Sequence, residues 1–236
     1  MHRSFYTEPA TPGEVLTVEG EEARHLIQSL RARVGESVEL LNGAGRRVFA
    51  EITHLERRSL DCRVLEVTEH ARPPVSVTLV QALPKSGKFD LVLQKAVELG
   101  VDAIVPLISD HAISRTEKSD RWRAVCVSAL KQSGNPWLPV IHPATNVAGF
   151  IQTHASTFDQ VLLADLSEDA APLKAALQTP ATSIACLVGP EGDFAPDEIT
   201  TLREAGAVPV SLGPHVMRSE TAAIFLMSVL RYETSA

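Results

Sequence analysis

The sequence predicts an α/β chain in which a short β-rich module precedes a longer run of strands and helices built around a parallel sheet. Three observations carry this expectation. Residues 1 to about 70 hold several short β-prone runs, and SLDCRVLEV (59–67) alternates with a period near two. Pro73-Pro74 then breaks the pattern. Beyond it, apolar runs such as VSVTLVQAL (75–83) alternate with helical segments such as GKFDLVLQKAVELG (87–100), closed by Gly100.

Within the first module, EVLTV (14–18), SVELLN (37–42) and RRVFAEITHL (46–55) read as further strands. Asn42-Gly43, with Gly45 close behind, marks a tight turn between two of them. EEARHLIQSLR (21–31) reads as a short helix because Ala23, Leu26, Ile27 and Leu30 share one face. The module is expected to be a small β-barrel spanning residues 1–72. In the second, 73–236, VDAIVPLIS, FDQVLLADL, TSIACLVG and VPVSLG are the next strands. DRWRAVCVSALKQSG, APLKAALQT, APDEITTLREAG and the long apolar SETAAIFLMSVLRY are helices between and after them.

Charge narrows the choice of partner. The chain carries 22 Lys plus Arg against 29 Asp plus Glu, net −7, so it has no broad attraction to phosphate or to an acidic membrane. Contact with nucleic acid must come from a local patch. MHRSFYTEPA has no apolar run after its basic residues, so neither a signal peptide nor a membrane span is read, and a cytoplasmic location is expected. Cys62, Cys126 and Cys186 lie far apart in apolar segments, which favours reduced core thiols over disulfides or a metal site.

The chemistry-bearing signals are two loops. LVGPEGDF (187–194) places Gly189-Pro190-Glu191-Gly192 at the end of a predicted strand, where parallel sheets bind ligands. The run is neither G-x-G-x-x-G nor a phosphate loop, so an adenosyl or other backbone-read ligand suits it better than a nucleotide phosphate. A plain strand-to-helix turn would also use these residues. SLGPHVMRSETA (211–222) repeats the arrangement, with Arg218 ahead of Ser219 as helix cap. Two permissive loops at strand ends are what a cofactor cleft requires.

LVGPEGDF, SLGPHVMRSETA and QKAVELGVDAIVPLIS together resemble the signature segments of the RsmE family, the 16S ribosomal RNA uracil-N3 methyltransferases of the SPOUT class. The resemblance runs over essentially the whole chain, with ARHLIQSLRARVGESVELLNGAG matching the family's PUA-like RNA-binding module. It implies a homodimer acting on 16S rRNA within the small ribosomal subunit, S-adenosyl-L-methionine as methyl donor, and a C-terminal deep trefoil knot. The implied cofactor-binding residues are Leu163, Ala164, Gly189, Glu191, Gly192, Leu212, Gly213, Val216, Met217 and Thr221. Arg218 and Glu220 are the implied catalytic pair, Arg218 to stabilise the uracil ring as N3 loses its proton, Glu220 either to take a proton or to orient Arg218. As a first-turn acid, Glu220 would equally suit the helix dipole.

Arg3, His25, Arg31 and Lys95 are the candidate RNA contacts. Residues 1 to 70 hold 9 Arg and no Lys against 12 acids, so scattered surface charge would look the same. The match departs at Asp110-His111, Asn135 and His215, each replacing an expected arginine or its neighbour with a neutral or titratable group. Ala222, Phe225, Leu226 and Val229 form an apolar stripe that is either internal or shared between two subunits. Ribose 2'-O methylation, and a noncatalytic RNA-binding or ribosome-assembly role, are the alternatives.

Overall fold

A computed structural model describes residues 1–85, 87–112 and 115–234, which divide into two compact units. Unit 1 comprises Met1–Arg72 with Val127–Leu138, and unit 2 comprises Pro73–Cys126 with Pro139–Ala236.

Unit 1 contains β1 (His2–Phe5), β2 (Val15–Glu19), α1 (Gly20–Arg24), β3 (Ser37–Leu41), β4 (Arg46–Leu55) and β5 (Ser59–Glu69). The strands form one sheet in the order β1-β3-β4-β5-β2, antiparallel except for the parallel pair β1-β3. Alternation sends Val48, Ala50 and Ile52 of β4, with Leu60, Cys62 and Val64 of β5, to one core with Leu26. Asn42 Oδ1 accepts from the N–H groups of Ala44 and Arg46, closing the predicted turn between β3 and β4. The helix expected over 21–31 is instead α1 followed by a π-helical turn, His25–Ser29. The sheet is also open where a barrel was expected. Among the described residues β1 and β2 stand at its two ends and do not pair, because nothing local to either strand directs it to the other.

Unit 2 contains β6 (Ser76–Ala82), α2 (Lys88–Glu98), β7 (Ala103–Leu107), the start of α3 (Ser119–Ser133), β8 (Val140–Ile141) and α4 (Val147–Thr153). It continues through β9 (Gln160–Ala164), β10 (Ala171–Pro172), α5 (Leu173–Ala176), β11 (Ser183–Val188), α6 (Pro196–Glu204), β12 (Val208–Ser211) and α7 (Ser219–Thr234). All seven strands are parallel, in the order β10-β12-β9-β11-β6-β7-β8. Val80, Val105, Leu163 and Leu187 pack in one cluster with Phe150 of α4 and Leu202 of α6. Alternate strand positions, Leu79, Leu162 and Cys186, are fully buried as well, and α7 packs against β6, β11 and α2. Burial of both faces explains why these strands read as continuous apolar runs.

This architecture corrects the expectation of a SPOUT domain with a deep trefoil knot. What is found is a small N-terminal β-sheet unit and a larger α/β unit, and no trefoil knot is identified among the described residues. The knot is implied by resemblance alone. The loops of interest are brought together by strand order: β12, β9 and β11 are adjacent, so their carboxyl ends open side by side.

Candidate active site

A cavity of about 300 Å³ lies where those three strand ends meet. Its walls are Ala164–Leu166 after β9, Val188–Glu191 with Asp193 after β11, and Leu212, Gly213 and 215–219 ahead of α7, closed by Ala222. Most of this lining is apolar, which suits a largely apolar organic ligand held by a few polar groups.

A buried hydrogen-bond chain fixes two of these walls. Ser219 Oγ donates to the Gly189 carbonyl at 2.5 Å and accepts from Gln81 Nε2 at 3.0 Å. Gln81, at the end of β6, also donates to the carbonyl of Ala82 at 2.8 Å. Ser219, expected to cap its helix, uses its hydroxyl to hold the β11 loop instead. His111 Nδ1–H donates to the carbonyls of both Gly192 and Asp193 at 3.0 Å, tying that loop down from outside.

The small residues of GPEG have distinct causes. A Cβ on Gly189 would stand 2.9 Å from Asp193 Oδ1 and 3.3 Å from Phe194, so Gly189 makes room for its own chain. Asp193 takes a left-handed backbone, φ 59°, and its Oδ1 accepts from Phe194 N–H at 2.8 Å. A Cβ on Gly192 would meet His111 at 3.4 Å.

Charges at the site are mostly paired. Asp165, 8% exposed, accepts from Arg203 Nη2 at 2.7 Å and from Ser167 N–H. Burial opposes ionisation of Asp165, but Arg203 and Ser167 outweigh it and hold the carboxyl below its ordinary value. Glu191 accepts from Lys85 N–H and from Lys88 Nζ, both at 3.2 Å. Glu220 Oε2 lies 3.3 Å from the same ammonium, at ion-pair distance without hydrogen-bond geometry. Glu220 is therefore turned to Lys88 and forms no bond with Arg218. Arg218 is exposed, and its guanidinium has no hydrogen-bond or ion-pair partner among the described residues.

Of the residues singled out in the sequence, Ala164, Gly189, Glu191, Leu212, Gly213, Val216, Met217 and Arg218 converge on the cavity. Leu163 points into the sheet core, fully buried, one position short of the wall. Gly192 faces His111, and Thr221 is exposed on the first turn of α7. Arg3 is bound within unit 1, to the buried Glu39 at 2.7 Å and to the Gln132 carbonyl at 2.9 Å. Lys95 pairs with Glu98 on α2 at 2.7 Å. His25 and Arg31 are exposed, Arg31 with a left-handed backbone, φ 54°.

Asp165, Asp193, Gln81 and Lys88 were not anticipated, since an acid after a strand or a Gln within one has no distinguishing spacing. The cysteines are free and buried, and burial pushes each thiol up to about 12. Among the described residues no cluster of His, Cys, Asp and Glu is placed to hold a metal, and no helix is long and apolar enough to cross a membrane.

Residues 71–231 match the model of an RNA methyltransferase domain, and residues 18–65 that of an RNA methyltransferase PUA domain. Fold and site thus define the class of an RNA methyltransferase. A ribosomal RNA small subunit methyltransferase E of Mycobacterium bovis is 35% identical, over 94% of this chain and 88% of its own. Its counterpart in Aquifex aeolicus is 28% identical over 96% and 97%. The crystal structure of the Neisseria gonorrhoeae ribosomal RNA small subunit methyltransferase E bound to S-adenosyl methionine superposes with a TM-score of 0.90, at 30% identity, covering 98% of this chain and 97% of that one. A putative methyltransferase of Legionella pneumophila with bound cofactor SAM gives 0.89 at 29% identity, covering 98% and 96%. The chain belongs to the ribosomal RNA small subunit methyltransferase E family.

Proposed function

We propose that this protein transfers the methyl group of S-adenosylmethionine to N3 of a uridine in 16S rRNA of the small ribosomal subunit, in the cytoplasm. The N3–CH3 bond forms as the S–CH3 bond breaks, leaving S-adenosylhomocysteine, and N3 gives up its proton to solvent water. The cofactor supplies an activated methyl on a cationic sulfur. Everything else is asked of the chain.

The observation that carries the reading is Arg218, a guanidinium unpaired among the described residues, in the wall of a mostly apolar cavity. Uracil N3 becomes a nucleophile only as its proton leaves, and charge then develops on O2 and O4. A fixed cation beside the ring stabilises that charge, and a planar fork holds a carbonyl oxygen in register. The partly buried apolar walls from Leu212 and Met217 shield the bound cofactor from water, and the exposed backbone of Gly213 offers it close approach. Glu220 is a positioning residue: with Glu191 it holds Lys88 and joins α2 to both site loops.

Residues 1–72 supply the RNA-binding module and 73–236 the methyltransferase domain in this reading. His25 and Arg31, which are exposed, remain candidate RNA contacts, whereas Arg3 and Lys95 serve structural pairs. The protein works as a homodimer. Phe225 and Tyr232 of α7, with Leu166 and Val216 near the cavity, expose apolar surface that a second copy would cover. Sedimentation at micromolar concentration would show twice the 25.5 kDa chain mass.

The test is single-turnover methylation of small subunits at saturating RNA and cofactor, read by nucleoside mass spectrometry. Wild type should form 3-methyluridine, and Arg218→Ala should slow the step by roughly 10²-fold while both ligands still bind. Formation of a ribose-methylated nucleoside instead, or of none, refutes the assignment. An unchanged rate in the variant removes Arg218 from the chemistry.

A further inference from the structure

We infer that the Asp193 carboxylate is the group by which this site distinguishes the cationic methyl donor from the neutral thioether left after transfer. The inference rests on reading the cavity as the S-adenosylmethionine site.

Three carboxylates line the cavity, and two of them are already neutralised. Asp165 is paired with Arg203 at 2.7 Å, and Glu191 with Lys88 at 3.2 Å. Asp193 has no cationic partner within 4.0 Å among the described residues, and its carboxylate accepts from a neutral donor, the Phe194 N–H. His111 binds the backbone carbonyl of Asp193 and not its side chain. No described residue forms an ion pair with this carboxylate.

Its placement is also costly, and specifically built. A left-handed backbone is rare for a residue with a side chain. Gly189 gives up its side chain so that Asp193 Oδ1 can occupy that space, 2.9 Å from where a Cβ would be. Ser219 and His111 then hold the two flanks of the loop. Burial pushes the Asp193 carboxyl above its ordinary value. The Phe194 bond pulls it back, while the charge of Asp165 raises it further and His111 offsets part of that rise.

A half-buried carboxylate without a cation, in the wall of a site whose ligand is a cation, is completed by that ligand. S-adenosylmethionine and S-adenosylhomocysteine differ only by the methyl group and the charge it brings to sulfur. An interaction with the sulfonium therefore appears in one affinity and not in the other. The same carboxylate would favour release of the spent cofactor, since the attraction ends when the methyl leaves.

Asp193→Asn is the appropriate variant: Asn tolerates a left-handed backbone, and its Oδ1 still accepts from Phe194 N–H. Calorimetric titration of the full chain would use S-adenosylmethionine, S-adenosylhomocysteine, and sinefungin, whose ammonium group replaces the sulfonium. The variant should bind both cationic ligands about tenfold or more weakly, as expected for losing one charge pair at an intermediate dielectric. Its affinity for S-adenosylhomocysteine should change by less than about threefold, which also certifies that the pocket is folded. Equal weakening of all three ligands, or no weakening of any, overturns the inference and leaves the cofactor site standing. A wild-type chain that binds none of them sinks the cofactor reading, and this inference with it.

Discussion

Replacing Ser219 by Ala tests whether the site depends on the bridge from β6 to the β11 loop. Ser219 is 5% exposed, and its hydroxyl donates to Gly189 and accepts from Gln81. Its removal forfeits a net hydrogen bond of about 1 kcal/mol and leaves the buried Gly189 carbonyl without a donor, a further penalty of about 1–2 kcal/mol. Gln81 loses less, because its amide keeps the Ala82 carbonyl at 2.8 Å. The sum of roughly 2–3 kcal/mol should lower the midpoint of thermal unfolding by about 5–10 °C in a chain of this size. Because Gly189 is also a cavity wall, affinity for S-adenosylmethionine should fall several-fold. Scanning calorimetry with and without cofactor measures both effects. Gln81→Met removes the other end of the chain, so the double variant should lose less than the sum of the two singles. A midpoint within about 1 °C of wild type, or strict additivity, would refute the bridge.

Two further outcomes follow from the loop's other supports. Asp165→Asn should cost about 1 kcal/mol near pH 7, a figure reduced for the solvent exposure of Arg203. The folded-state value of Asp165 is depressed, so its contribution is present above the ordinary carboxylate range and is lost as pH falls through the lowered value. The stability curves of the two proteins should therefore converge in acid, and a gap independent of pH would contradict the pairing. His111→Ala should weaken S-adenosylmethionine about fivefold by freeing the Gly192 and Asp193 carbonyls, while His111→Asn, whose amide can donate from a similar position, should restore most of it. Equal weakening by both variants would mean that the imidazole acts by packing.

Much of the frame was legible because parallel strands buried on both faces leave unbroken apolar runs, as VSVTLVQAL does for β6. Strand order was not legible. Alternation of elements says that a sheet is parallel without saying which strands adjoin, and the cavity depends on β12, β9 and β11 being neighbours. A period of two also decides fates that composition cannot: Leu163 points into the core while Ala164, one residue on, is a wall. Closure of the β module is over-read for the same reason, since the four strands read there do not specify that the ends meet, and β1 (His2–Phe5) is not among them. The SPOUT class and its knot follow from the resemblance of whole segments such as LVGPEGDF and not from periodicity or element order, and they have no place in the fold described. Arg3 looked like an RNA contact because a sequence shows a basic residue without its partner. Glu39, on the paired strand β3 and 1% exposed, is that partner.

The glycines of the two loops show why a motif underdetermines a site. All would be read as space for a ligand, yet Gly189 makes room for Asp193 and Phe194, while a Cβ on Gly192 would only touch His111 at an ordinary contact distance of 3.4 Å. Gly213 differs: its φ is 127°, and a Cβ there would meet nothing within 4 Å. Its constraint is backbone conformation beside open space, a wall that a ligand can approach to backbone distance. The two loops therefore divide the work. The second offers main chain and apolar side chains for shape, while the first spends its missing side chain on presenting a carboxylate, so charge discrimination belongs to the first loop and fit to the second.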